Sequence, residues 1–203
     1  LRKAVADGQT RFACASAGNH AQGVAYVCRH FGVTGAVFMP VTTPNQKIDK
    51  TRAFGGDAVE IHLVGDYFED TLAAAKAYCD ENQAHFLSPF DDADVIEGQA
   101  SVAVEVLSEM AEEPDLVVLP VGGGGLASGM KSYVESVAAE IGLRLVEPDG
   151  APSLDAALQK GKPATLDQVN NFVDGAAVAR IGDLTFDVLR DLDRASVLAA
   201  PED

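Results

Sequence analysis

Four consecutive glycines, Gly122, Gly123, Gly124 and Gly125, follow the apolar run Val117-Val118-Leu119-Pro120-Val121 and lead through Leu126 into a helical pattern ending near residue 142. A strand that stops in glycines and restarts as a helix presents bare backbone N–H groups at the positive end of a helix dipole. A phosphate can be held there without any basic side chain. Each glycine costs about 0.5–1 kcal/mol of backbone entropy relative to alanine, so four in a row exceed what a tight turn needs. A second loop, Ser16-Ala17-Gly18-Asn19-His20-Ala21-Gln22-Gly23, has the same design: it leaves one apolar run and opens a helix. Ser16 and Asn19 supply a hydroxyl and an amide that can orient a ligand, and they are equally the favoured residue types for an N-cap and a turn.

The elements that must position these loops alternate. Short apolar runs at 12–15, 36–39, 58–64 and 84–87 predict strands. Helical spacing over 20–31, 44–54 and 67–81 predicts the helices between them, the third capped by Gly65 or Asp66. This is the βαβ order of an α/β protein with parallel sheets flanked by helices, in which both loops leave the carboxyl ends of strands, where ligands bind. Residues 1–8 read as the tail of a helix already under way, ended at Asp7-Gly8. A longer helix over 95–110 carries Val102, Val106 and Met110 on one face and leads to the acidic break Glu112-Glu113-Pro114-Asp115, which divides the chain into 1–112 and 113–203. The second section continues as strand, glycine loop, helix and a strand at 143–147, then less regularly with helices at 153–159 and 183–192.

With 203 residues, 47% of them hydrophobic, the chain has ample material for a core. Fifteen basic residues against 31 acidic ones give a formal charge of −16, which disfavours a general nucleic-acid or anionic-membrane surface and requires any phosphate to be met locally. Cys14, Cys28 and Cys79 are odd in number and lack the close pairing of a zinc site, so they are expected as reduced thiols of a cytoplasmic protein. No stretch approaches the roughly 18 apolar residues of a membrane span, and Leu1-Arg2-Lys3-Ala4 does not open like a signal peptide.

Across nearly its whole length the sequence resembles the pyridoxal-phosphate enzymes of fold type II (tryptophan synthase β-like), and specifically the threonine dehydratase group. The likeness rests on residues 16–23, Met39-Pro40, Pro44-Asn45-Gln46-Lys47, Gly55-Gly56-Asp57-Ala58, Pro89-Phe90-Asp91-Asp92, residues 122–126, Glu147-Pro148 and Val173-Asp174-Gly175, all in the family's order. It implies a small mobile domain over 1–112 and part of the large cofactor-anchoring domain over 113–203. By the same resemblance the N–H groups of Gly122, Gly123, Gly124, Gly125 and Leu126 hold the phosphate of pyridoxal 5'-phosphate. Asn19 binds its phenolic oxygen, and Gly175 lets backbone lie against the cofactor. Ser16, with Ala17, Gly18, Asn19 and His20, receives the carboxylate of an amino-acid substrate. His20 is as readily a packing residue of the first helical turn.

The implied reaction is elimination: loss of the Cα proton and the β-hydroxyl, then hydrolysis to a 2-oxo acid and ammonia, giving 2-oxobutanoate from threonine and pyruvate from serine. A homo-oligomer is expected. In related serine racemases a second serine occupies the position of Ala17, and alanine has no proton to give, so dehydration rather than racemisation is expected.

Two departures stand out. Where family members with a metal site carry an acidic residue six positions after the Glu-Pro glutamate, this chain has Ser153, so no metal is expected. The family's Schiff-base lysine would fall upstream of Leu1, and the partner of the pyridine nitrogen beyond Asp203. Lys47, Lys50, Lys76, Lys131, Lys160 and Lys162 all read as ordinary solvated charges, so these 203 residues alone are expected to turn over no amino acid. Two rivals remain. A nicotinamide-dependent oxidoreductase would use Gly122-x-Gly124-x-x-Ala127 as its fingerprint and Glu147, about twenty residues on, as its ribose partner. A non-catalytic module would hold anions at both loops.

Overall fold

A computed structural model describes residues 1–66 and 68–201 of the chain. It divides into two compact units, Leu1–Pro89 and Phe90–Asp203. The first opens with α1 (Arg2–Ala6) and builds a parallel sheet from β1 (Arg11–Ala15), β2 (Thr34–Met39), β3 (Val59–Leu63) and β4 (His85–Phe86), in the order β3-β2-β1-β4. The crossovers are α2 (Asn19–Phe31), α3 (Asn45–Gly55) and α4 (Phe68–Asn82). The residue expected to start α4, Tyr67, lies outside the described residues.

Successive side chains of a strand point to opposite faces, so a strand covered on both sides reads as an unbroken apolar run. Phe12 and Cys14 of β1 and Val37 and Met39 of β2 face Ala21, Val24 and Cys28 of α2 and Ile48 of α3. Ala13, Ala15, Ala36 and Phe38 face Ala75 and Cys79 of α4. All three cysteines are free and buried. Burial pushes the Cys14 thiol far up and the Cys28 thiol up to about 11, so both are protonated, unreactive core residues at neutral pH.

The second unit contains α5 (Ala93–Gln99), α6 (Ser101–Glu109), β5 (Leu116–Pro120), α7 (Gly125–Val137), β6 (Gly142–Pro148), α8 (Ser153–Lys160), α9 (Asp183–Leu189) and β7 (Val197–Ala200). Its three strands form a parallel sheet in the order β5-β6-β7. Leu119, Val121 and Leu145 pack with Met130 and Val134 of α7, Leu154 of α8, and Ile181, Phe186 and Leu189 around α9.

The compact units meet at Pro89 and Phe90, and Ala103 and Leu107 of α6 belong to the core built around α7. Two features differ from the sequence expectation. The single helix expected over 95–110 is two helices meeting at Ala100, and it starts earlier because Asp92 caps α5 through the N–H groups of Asp94 (2.8 Å) and Val95 (3.1 Å). The third strand, β7, comes from a run of only four residues, two of them alanine, and is held by pairing with β6. Among the described residues no helix is long and apolar enough to cross a membrane.

Gly129 of α7 lies directly on the backbone of α5: a Cβ there would stand 2.5 Å from the Ile96 carbonyl oxygen and 2.7 Å from the Ala100 nitrogen. Backbone cannot swing aside as a side chain can. Gly129→Ala is therefore predicted to destabilise by about 1–3 kcal/mol through overpacking, although helix propensity favours alanine by up to about 1 kcal/mol. Urea unfolding of the two proteins measures it.

Candidate functional site

The last ladder bond before the glycine loop runs from the Val121 N–H to the Val146 carbonyl (2.8 Å). From there, none of the backbone N–H groups of Gly122, Gly123, Gly124, Gly125 and Leu126 donates to an acceptor among the described residues. Gly123, Gly124 and Gly125 are nevertheless buried. α7 begins behind Gly124 with no side-chain cap. Three other helix starts of this unit are treated differently, whereas α6 follows directly on α5 at Ala100 and has no side-chain cap. Asp92 caps α5. Glu147 takes the N–H groups of Leu154 (2.7 Å) and Asp155 (2.9 Å) at the start of α8. Asp91 takes those of Asp183 (3.1 Å), Leu184 (2.8 Å) and Thr185 (3.4 Å) at the start of α9. Three helices are closed by carboxylates of the chain, and α7 alone among these four is left open to an outside anion.

The glycines have a second reason that the sequence does not display. A Cβ on Gly123 would run into the Phe90 ring, and Gly124, at φ +91°, would place one 2.9 Å from Cβ and Oγ1 of Thr185. The loop is pressed onto its own scaffold, so the run of glycines is a packing requirement as well. Gly175 is exposed, and among the described residues nothing beyond its chain neighbours lies within 4 Å of where a Cβ would go, while its neighbour Ala176 lies 3.2 Å from a Cβ built on Gly122. Gly175 therefore stands beside the glycine loop.

In the first unit the serine–asparagine loop repeats the device. Gly18 is the N-cap of α2 and makes no side-chain cap, and the first helical N–H with a partner is that of Gln22, bonded to the Gly18 carbonyl (3.3 Å). Ser16 does not cap the helix: its Oγ accepts the N–H of Gly18 (3.2 Å), and its own N–H is bonded to Phe38 (3.0 Å). Asn19, the first helical residue, is exposed, and its amide makes no hydrogen bond among the described residues. His20 Nε2 lies 3.1 Å from the Leu87 carbonyl, which can only accept, so this nitrogen carries the proton. Burial holds its pKa below the usual value, and the ring is neutral.

Glu147 is 1% exposed. With both oxygens occupied at α8 it offers nothing to a ribose, which removes the acidic partner that the oxidoreductase reading needs. Ser153 Oγ lies 3.4 Å from the Gly122 carbonyl oxygen, tying α8 to the glycine loop. Lys131 corrects the expectation of a solvated charge: it is 4% exposed and bonded to Glu135 (2.9 Å) and Asp191 (3.0 Å). Burial alone lowers its pKa, but these two carboxylates outweigh it and hold the amine protonated. Phe90, Asp91, Ser128 and Thr185 are the residues that sequence reasoning missed. The Pro-Phe-Asp-Asp run was visible, but the partners of Phe90 and Asp91 lie 33 to 94 positions away in sequence.

Residues 1–203 match the family described as pyridoxal-phosphate dependent enzyme. The biosynthetic L-threonine dehydratase of Bacillus subtilis is 44% identical over 189 residues, covering 93% of this chain and 44% of that protein. Among solved structures, the processed form of threonine deaminase isoform 2 from Solanum lycopersicum superposes with a TM-score of 0.85 at 34% identity, covering 95% of this chain and 55% of that one. Maize serine racemase gives 0.87 at 28% identity, covering 96% and 57%. The chain thus spans less than half the length of the bacterial relative.

Burial raises the Glu147 carboxyl to about 7, against the opposing pull of the Leu154 and Asp155 N–H groups. A carboxyl whose pKa is raised on folding contributes stability that is complete below its unfolded value and is lost as pH rises through its folded value. Stability should therefore decline between about pH 4.5 and about pH 7, in part through this group. Glu147→Gln should flatten that decline. It should also cost about 1–3 kcal/mol, because the amide NH₂ would face a buried N–H. Chemical unfolding at several pH values tests both.

Proposed function

We propose, since this chain belongs to the pyridoxal-phosphate-dependent enzymes along its whole length, that it forms the cofactor-binding and substrate-binding part of a threonine dehydratase. The reaction is dehydration and deamination of L-threonine to 2-oxobutanoate and ammonia, with L-serine to pyruvate as a second activity. One observation carries this reading: in a unit where carboxylates close the starts of α5, α8 and α9, the five consecutive N–H groups leading into α7 have no partner among the described residues.

Residues 122–126 hold the phosphate, each N–H stabilising negative charge without adding a positive side chain to an acidic protein. Asn19 donates its free amide to the phenolic oxygen and so fixes the ring's orientation. The open N-terminus of α2 receives the substrate carboxylate through the N–H groups of Ala17, Asn19 and His20, which have no partner among the described residues, with the Ser16 hydroxyl and Gly18 beside them. His20, neutral and tied to Leu87, holds the first turn of α2 in place and neither gives nor takes a proton at Nε2. When bound, the cofactor supplies the electron sink for charge developing at the substrate Cα. The proposal is completed by a small mobile domain extending to about residue 112, a cofactor domain after it, a homo-oligomeric assembly and a cytoplasmic location, supported by the −16 charge and three buried thiols.

Ligand-dependent stability separates the rivals. At a hundred times its dissociation constant, pyridoxal phosphate should stabilise the fold by about 2.7 kcal/mol. NAD should leave the melting temperature unchanged, and stabilisation by NAD alone would sink the reading. With the activity in hand, chiral analysis of serine left after partial turnover should find little D-serine, because Ala17 has no proton to donate. A large D-serine fraction would make the enzyme a racemase.

A further inference from the structure

Thr185 is fully buried at the first turn of α9, and its hydroxyl points at the glycine loop. Oγ1 lies 2.8 Å from the Gly123 carbonyl and 3.2 Å from that of Gly182. A hydroxyl has one proton to donate, and the shorter contact takes it. The Gly182 N–H reaches the same Gly123 oxygen at 3.4 Å, so both lone pairs of that carbonyl are engaged from the α9 side. In a trans peptide the C=O and the following N–H point in opposite directions. Fixing the Gly123 carbonyl toward α9 therefore fixes the Gly124 N–H away from it, on the open side of the loop.

Thr185 is itself held from two directions. Its N–H and those of Asp183 and Leu184 converge on Asp91, and its carbonyl accepts the Ser128 hydroxyl of α7 (3.2 Å). Contact between Thr185 and a Cβ at position 124 shows how closely the two are fitted.

We propose that Thr185 is a positioning residue for the anion cradle: its hydroxyl sets the plane of the Gly123–Gly124 peptide and thereby aims the Gly124 N–H at the cofactor phosphate. This rests on the reading of residues 122–126 as a phosphate site. The two can fail separately when pyridoxal phosphate and pyridoxal, which lacks the phosphate, are titrated in parallel by calorimetry into the full chain.

Wild type should prefer the phosphorylated compound. Thr185→Val, nearly isosteric but without a donor, should lose about ten-fold of the affinity for pyridoxal phosphate and none for pyridoxal, and Thr185→Ser should restore it. Equal affinity of wild type for the two probes would overturn the phosphate site and the proposal with it. A wild-type preference that Thr185→Val retains in full overturns the role of Thr185 alone, as does an equal loss for both probes. Should Thr185→Val not fold, Thr185→Cys, whose thiol is a weak donor, replaces it with the same expectation. Failure of both to fold while Thr185→Ser folds would make the hydroxyl a folding requirement and overturn its positioning role.

Discussion

Every α-helix begins with N–H groups that its own turns cannot satisfy, and in the second unit the allocation of carboxylates to those starts decides where a ligand can bind. Asp92, Glu147 and Asp91 close α5, α8 and α9. None reaches α7. An N–H buried without an acceptor costs about 1–3 kcal/mol, so the open row at residues 122–126 is a local penalty that a bound anion would offset. In a chain with 31 acidic side chains, keeping carboxylates off one helix start would suit that start to an external anion, as proposed for the cofactor phosphate.

The segment Phe90-Asp91-Asp92 organises much of what surrounds that row. The Phe90 ring lies against Gly123, Asp91 fixes the first turn of α9 and through it Thr185, and Asp92 starts α5, whose backbone then meets Gly129 of α7. Three adjacent residues thus secure the loop, the helix behind it and the helix beside it. Glu147 and Ser153 support the loop from α8 by the same principle: an acid at a strand end closes a helix, and a hydroxyl on that helix reaches a loop carbonyl.

Buried ionisable groups elsewhere serve the fold. Lys131 is neutralised by Glu135 and Asp191, and a lysine held protonated in this way is no nucleophile. The thiols of Cys14 and Cys28 are raised by burial and belong to the core of the first sheet.

The sequence by itself determined the α/β class, the order of the strands along the chain and both glycine-bearing loops. These are local patterns: apolar runs buried on two faces, helical spacing, and glycines where a strand gives way to a helix. It also distinguished Ser16 and Asn19 by residue type. Only the tertiary structure decided that Ser16 closes a turn while Asn19 keeps a free amide, that β7 exists, that the units divide at Pro89, and that Glu147 is occupied at α8. The physical reason is separation along the chain. Phe90 and Asp91 act on partners 33 to 94 residues away, and no periodicity records such pairings. The glycine run shows both halves at once. Its opening to a ligand is visible in four letters, whereas the ring and the hydroxyl that forbid any side chain there become neighbours only when the chain has folded.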